Sequence, residues 1–166
     1  MTAVTSGTKL NDVFPLLLQY TLEAYKTFEK LAEKLPNPVS AAMFANFAQD
    51  ERGHRDLLEI KYLSSGEQRV PLTLGADLRF IDILEENLSP REVADWLISR
   101  ERTVERRLRE AGATASESDR NLLDYIAGTK RAHIAYLERE QALLGRHADW
   151  FQREDAEDVL VHGTGA

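Results

Sequence analysis

The sequence predicts an all-α protein, a four-helix bundle with one long crossover connection. Three observations lead there. Apolar residues recur at steps of three and four through four long segments. Most of the 5 prolines and 9 glycines fall between those segments rather than inside them. Two of the connections are short, as antiparallel neighbours require, and the middle one is long. No stretch alternates with the period of two that a half-buried strand needs.

The first helix is read from about Asp12 to Leu35, where Val13, Leu16, Tyr20, Ala24, Thr27, Phe28 and Leu31 trace one face. The run Leu35-Pro36-Asn37-Pro38 stops it and starts the second, with Asn37 as N-cap and Pro38 at the first helical position. That helix reaches about Leu63, before Ser64-Ser65-Gly66. Residues 64–76 carry turn formers without a period and read as the crossover. A short helical piece from Leu78 to Leu88 follows. Ser89-Pro90-Arg91-Glu92 is a capping box opening the third long helix, which ends near Ala111-Gly112. The fourth begins within Ser116 to Asp119 and runs to about Leu144-Gly145.

The expected layout is a flexible N-terminus over 1–11, the bundle over 12–146 and a C-terminal extension over 147–166, with its last four residues mobile. Trp150-Phe151 in that extension suits docking on the bundle or on a second subunit. A homodimer is the expected assembly.

A chain of 166 residues suffices for one sizeable domain. It contains no cysteine, which excludes disulfides, a thiolate-ligated iron centre and a cysteine nucleophile. A formal net charge of −7 argues against nucleic acid as a partner. The opening MTAVTSGTKL lacks the basic start and apolar core of a signal peptide. The apolar run from Val13 to Leu18 is broken by Pro15 and too short to span a bilayer. A cytoplasmic protein without a membrane partner is expected. The Arg-rich stretch SRERTVERRLRE, with Glu105 and Arg109 one turn apart, reads as a solvated helix face.

An internal repeat carries the chemistry. Residues 47–59, FAQDERGHRDLLE, and 126–138, IAGTKRAHIAYLE, match at Ala48/Ala127, Arg52/Arg131, His54/His133, Leu58/Leu137 and Glu59/Glu138. On the second helix, Phe44, Phe47, Glu51, His54 and Leu58 share one face. Glu51 and His54 therefore sit within an apolar stripe, where a carboxylate is costly unless paired or bound to a metal. Glu-x-x-His aims an oxygen and an imidazole at one spot, although the same spacing is common on solvated faces. Glu23 on the first helix and Glu101 on the third likewise stand where core residues belong. Either could instead tilt outward to a neighbouring arginine.

One Glu from each of two helices plus Glu-x-x-His from the other two is the ferritin-like di-iron carboxylate pattern. The sequence resembles the rubrerythrin branch of that superfamily. LEAYKTFEKLAEK and FAQDERGHRDLLE match closely, LSPREVADWLISRE and IAGTKRAHIAYLE more loosely. The resemblance covers about Asp12 to Leu144 and implies a ferritin-like four-helix bundle. It places Glu23, Glu51, His54, Glu101 and His133 at metal-ligand positions. It implies iron as the cofactor, one or two ions, with manganese or a metal-free state as alternatives, and peroxide or oxygen as the small oxidant. The departure is Lys130, which stands where the second Glu-x-x-His would have its Glu. Arg106 also stands where the first half has Phe28. The rubredoxin-type iron centre of full-length rubrerythrins needs four cysteines and is excluded.

Charge counting sharpens the departure. Four carboxylates balance two divalent ions, whereas three carboxylates and a protonated Lys130 balance one. With no metal, protonating both histidines balances the set. The expected protein binds iron at an altered di-metal site and acts in iron handling or peroxide and oxidative-stress defence, as a ferroxidase or peroxide-reducing oxidoreductase. Lys130 would balance charge or hold an anion such as peroxide. The alternative is a metal-free ferritin-like scaffold with a structural or interaction role.

Overall fold

The structure, a computed structural model, describes residues 10–64, 66 and 87–163. Helix α1 spans Leu10–Lys34, α2 Pro38–Ser64, α3 Pro90–Ala113 and α4 Glu117–Arg146; a 3-10 turn at Trp150–Gln152 and a short α5 at Ala156–His162 follow. There is no strand among the described residues. The expected N-terminal segment lies almost wholly outside them, as does most of the Leu78–Leu88 piece.

Three helix starts carry side-chain caps, at Asn37 and Ser89 as the sequence predicts and at Ser116, inside the expected range for α4. The Asn37 carboxamide oxygen accepts from the Val39 and Ser40 amides at 2.9 and 3.0 Å, satisfying two of the donors a helix N-terminus orphans. Ser89 accepts from the Glu92 amide at 3.2 Å and Ser116 from the Asp119 amide at 3.3 Å. The ends differ from expectation by one or two residues, the normal extent of fraying.

Helices α1 and α2 pair along their length, as do α3 and α4. Across the pairs, Ser40 meets Glu140, Asp50 meets His133 and Lys61 meets Asp119, so α2 and α4 run antiparallel. Glu23–Arg100 and Tyr20–Arg107 establish the same for α1 and α3. The end of α2 lies beside the start of α4, and the first turns of α3 lie beside the end of α4, where Gln141 meets Asp95. The α2 end and the α3 start are therefore at opposite ends of the bundle, as a single long crossover requires. No helix among the described residues is long and apolar enough to cross a membrane.

The core is divided in two. One apolar cluster gathers Phe28, Phe44, Phe47, Leu97, Leu137 and Trp150; the other gathers Phe14, Leu17, Leu58, Leu108, Leu123 and Ile126. Each such side chain, fully buried, contributes about 1.5–3 kcal/mol. On each of α1 to α4, buried ionisable residues fall between the two clusters: Glu23, Glu51 with His54, Glu101, and Lys130 with His133. Arg106 points to solvent near Glu110, while Val104 and Leu108 fill the interior of α3. Trp150 and Phe151 dock on the bundle itself. Both are buried, Phe151 packs against Phe44, and the Trp150 indole N–H donates to Glu140.

Candidate metal centre

The heptad-like faces read from the sequence bring four helices to one buried layer. Glu51, His54, Glu101, Lys130 and His133 are all at most 2% exposed, and Glu23 is 6% exposed. The carboxylates of Glu51 and Glu101 and the imidazole of His133 offer ligand atoms that lie within 4.8 Å of one another.

Lys130 holds this layer together. Its ammonium donates to Glu51 Oε1 and lies 2.9 Å from Glu101 Oε2. Burial alone would push the Lys130 pKa down, but Glu101 and Glu51 outweigh it and raise it above the ordinary lysine value. Burial likewise pushes the Glu51 carboxyl up, while Lys130 and His54 pull it down to about 2. The pair is thus an ammonium and a carboxylate at neutral pH.

Both nitrogens of His133 face carboxylates. Nδ1 lies 2.9 Å from Glu101 Oε1 and Nε2 lies 2.8 Å from Asp50 Oδ2. The ring stacks on Phe47, 3.9 Å between centres, and meets the edge of Phe28. An outer carboxylate on one nitrogen fixes the tautomer and aims the other, which is how proteins orient a ligating imidazole. Asp50 fills that role geometrically.

Glu23 and His54, the other two expected ligands, stand apart from the group of three. The Glu23 carboxylate lies 2.6 Å from Arg100 Nη2. Burial raises its pKa despite that arginine. The His54 Nδ1 lies 3.4 Å from Glu51 Oε2, and its ring meets the edge of Tyr125. The half of the sequence with the intact motif is therefore not the half where donors converge. The converged group takes Glu101 and His133 from the altered half and Glu51 from the other.

This donor set fits one divalent ion. Two carboxylates and an imidazole suit iron or manganese, and a ligand-orienting carboxylate is in place. It does not fit two. An ammonium bonds both central carboxylates, and the third is committed to an arginine.

Two participants escape sequence reasoning. Asp50 lies beside the inward stripe and reaches His133 only because α4 passes there. Arg100 belongs to the stretch that reads as a solvated face. Its one signal is the arginine alternative for Glu23: the pairing is present, with Glu23 still buried.

A family model described as Rubrerythrin matches residues 21–141 of the chain. No curated protein matches it. Among solved structures, a hypothetical protein from Pyrococcus furiosus is similar in fold, with a TM-score of 0.67 at 17% identity; the match covers 82% of this chain and 90% of that one.

Proposed function

The chain belongs to the rubrerythrin family, and from that premise we propose that it is an iron-binding protein with a reduced, single-ion centre, working in iron handling or peroxide defence. The observation that carries this reading is the convergence of Glu51, Glu101 and His133 within 4.8 Å, with Asp50 behind the imidazole. These three would hold the ion. Manganese is the alternative occupant, since carboxylates and imidazole also suit it.

Bound iron supplies one-electron chemistry toward oxygen or peroxide, as a ferroxidase or peroxide reductase needs. Asp50, 2.8 Å from His133 Nε2, orients the imidazole so that Nδ1, on the Glu101 side, would face the ion. Lys130 stays charged because two carboxylates hold its pKa up. Its ammonium offers a donor to a small oxidant at the centre, and it removes one negative charge that a second cation would require. Phe28 and Phe47 pack against the His133 ring and hold its orientation. With no cysteine among these 166 residues, electrons for turnover come from beyond them or from ferrous iron itself. The proposed setting is a cytoplasmic homodimer.

A second reading, a metal-free scaffold, is favoured by one observation: Lys130 already satisfies both central carboxylates. Metal analysis after anaerobic reconstitution with ferrous iron separates the two. We expect about one ion per chain, lost in Glu101→Gln and His133→Ala because a site of three protein ligands cannot spare one. Less than about 0.2 ion per chain in the unaltered protein would establish the scaffold reading.

A further inference from the structure

Away from the metal centre, the α1–α3 side of the bundle carries a cavity of about 280 Å³ lined by Tyr20, Trp96, Ser99, Arg100, Thr103 and Arg107. Two cations and no carboxylate line it, in a chain whose net charge is −7. Trp96, Arg100, Thr103 and Arg107 follow one another at steps of four, three and four, so they form one stripe of α3 facing α1.

The Tyr20 ring gathers both guanidinium groups. The Arg100 carbon lies 5.9 Å from its centre and the Arg107 carbon 5.8 Å, and Arg107 also donates to the Tyr20 hydroxyl. Trp96 flanks Arg100 on another side, at 5.6 Å. Aromatic faces hold cations side by side, but they leave the charge itself unneutralised. Arg107 has no carboxylate within ion-pair distance among the described residues. Arg100 is answered only by Glu23, from the inner side, and its Nη2 is buried without a well-directed hydrogen bond.

We propose that this cavity is a binding site for a small oxyanion of the phosphate class. Paired guanidinium forks match the oxygens of such an anion, and Ser99 adds a hydroxyl at the rim. The volume suits an ion with a few waters and falls just short of cavities that take larger organic ligands. Arg100 is shared, so an anion there competes with Glu23 for the same guanidinium. The inference does not rest on the metal reading, and its test is made without metal.

The measurement is calorimetric titration of chelator-treated protein with inorganic phosphate at low ionic strength. One phosphate per chain is expected. Arg107→Gln, on an exposed side chain, should weaken binding about tenfold, the loss of one charge-assisted contact. Glu23→Gln, which removes the competitor, should tighten it severalfold. Arg146→Gln and Glu154→Gln make the same charge changes on remote exposed positions and should each shift affinity less than about twofold, since screening weakens distant charges. Absence of binding at about 10 mM phosphate, weaker than any useful affinity, would overturn the proposal. So would equal losses in Arg107→Gln and Arg146→Gln, or weaker binding in Glu23→Gln.

Discussion

Lys130 is a buried cation whose cost is offset only by the two carboxylates it bonds. Removing one partner of such a network leaves uncompensated charge, which typically costs about 3–5 kcal/mol. Lys130→Met should therefore lower metal-free stability by about that much at neutral pH, read from denaturant unfolding. The pH dependence has a definite sign. The Glu51 pKa is depressed to about 2, so its contribution is present above the unfolded value near 4.5 and lost as pH falls through about 2. The Lys130 pKa is raised, so its contribution is present below 10.5 and lost as pH rises through the folded value. The variant's deficit should thus be greatest between those limits and shrink in acid as the orphaned carboxylates protonate. Equal stability of both proteins at pH 7 would refute the idea that Lys130 holds the layer. Inward positions such as Glu51 and Lys130 were legible because each helix's own apolar period marks its inner face. Asp50 and Arg100 were not, because their partners belong to a neighbouring helix and one chain's periodicity cannot report them.

The C-terminal segment shows the same limit at the scale of elements. Asn37 was legible as the α2 cap, yet it also ties down the extension: its amide N–H donates to the Phe151 carbonyl at 3.1 Å and its side-chain amide to the Trp150 carbonyl at 2.6 Å. Trp150 in turn donates to Glu140, which also accepts from Ser40 at 3.2 Å. Amphipathic periods give long helices, but a 3-10 turn and a seven-residue helix are too short to show one. Glu140 is fully buried, and burial raises its pKa despite Trp150, Arg139 and Ser40. Its ionised form is therefore the less favoured one inside. Glu140→Gln keeps the shape and the acceptor, so its stability at neutral pH should equal or exceed that of the unaltered protein. Trp150→Phe keeps the ring but removes the donor, and should cost about 1–3 kcal/mol, the usual penalty for a buried group left unsatisfied. That loss should diminish in acid, because a raised folded pKa means the neutral carboxyl is the better-tolerated state. Thermal melts of both variants across pH 4–8 check the pair; marked destabilisation in Glu140→Gln would show that the charge itself is required.

At the scale of the whole molecule, a polar layer separates two apolar clusters, and its charge balance decides what it holds. Lys130→Glu removes the ammonium from between Glu51 and Glu101 and supplies a fourth carboxylate on the inward face without changing helix register. Without metal, the like charges repel in a low-dielectric interior and the variant should be less stable than the unaltered protein. With ferrous iron the order should reverse in the size of the gain, because an ion that binds only the native state stabilises it by mass action. At a hundredfold excess over Kd the gain is about 2.7 kcal/mol, which for a chain of this size corresponds to a rise in Tm of about 5–10 °C. Lys130→Met separates charge from ligation: it removes the cation but adds no oxygen, so its gain should fall between the other two. Iron stoichiometry distinguishes the sources of the effect. More iron in Lys130→Glu than in the unaltered protein means that the layer retains the shape of a two-ion site and that one residue closes it. Equal binding at two ions each would show that Lys130 swings aside and was no obstacle. No iron in either would mean that the Glu23–Arg100 pair and the His54–Tyr125 contact have remodelled the layer beyond one residue, and that its ion pairs now serve the fold alone.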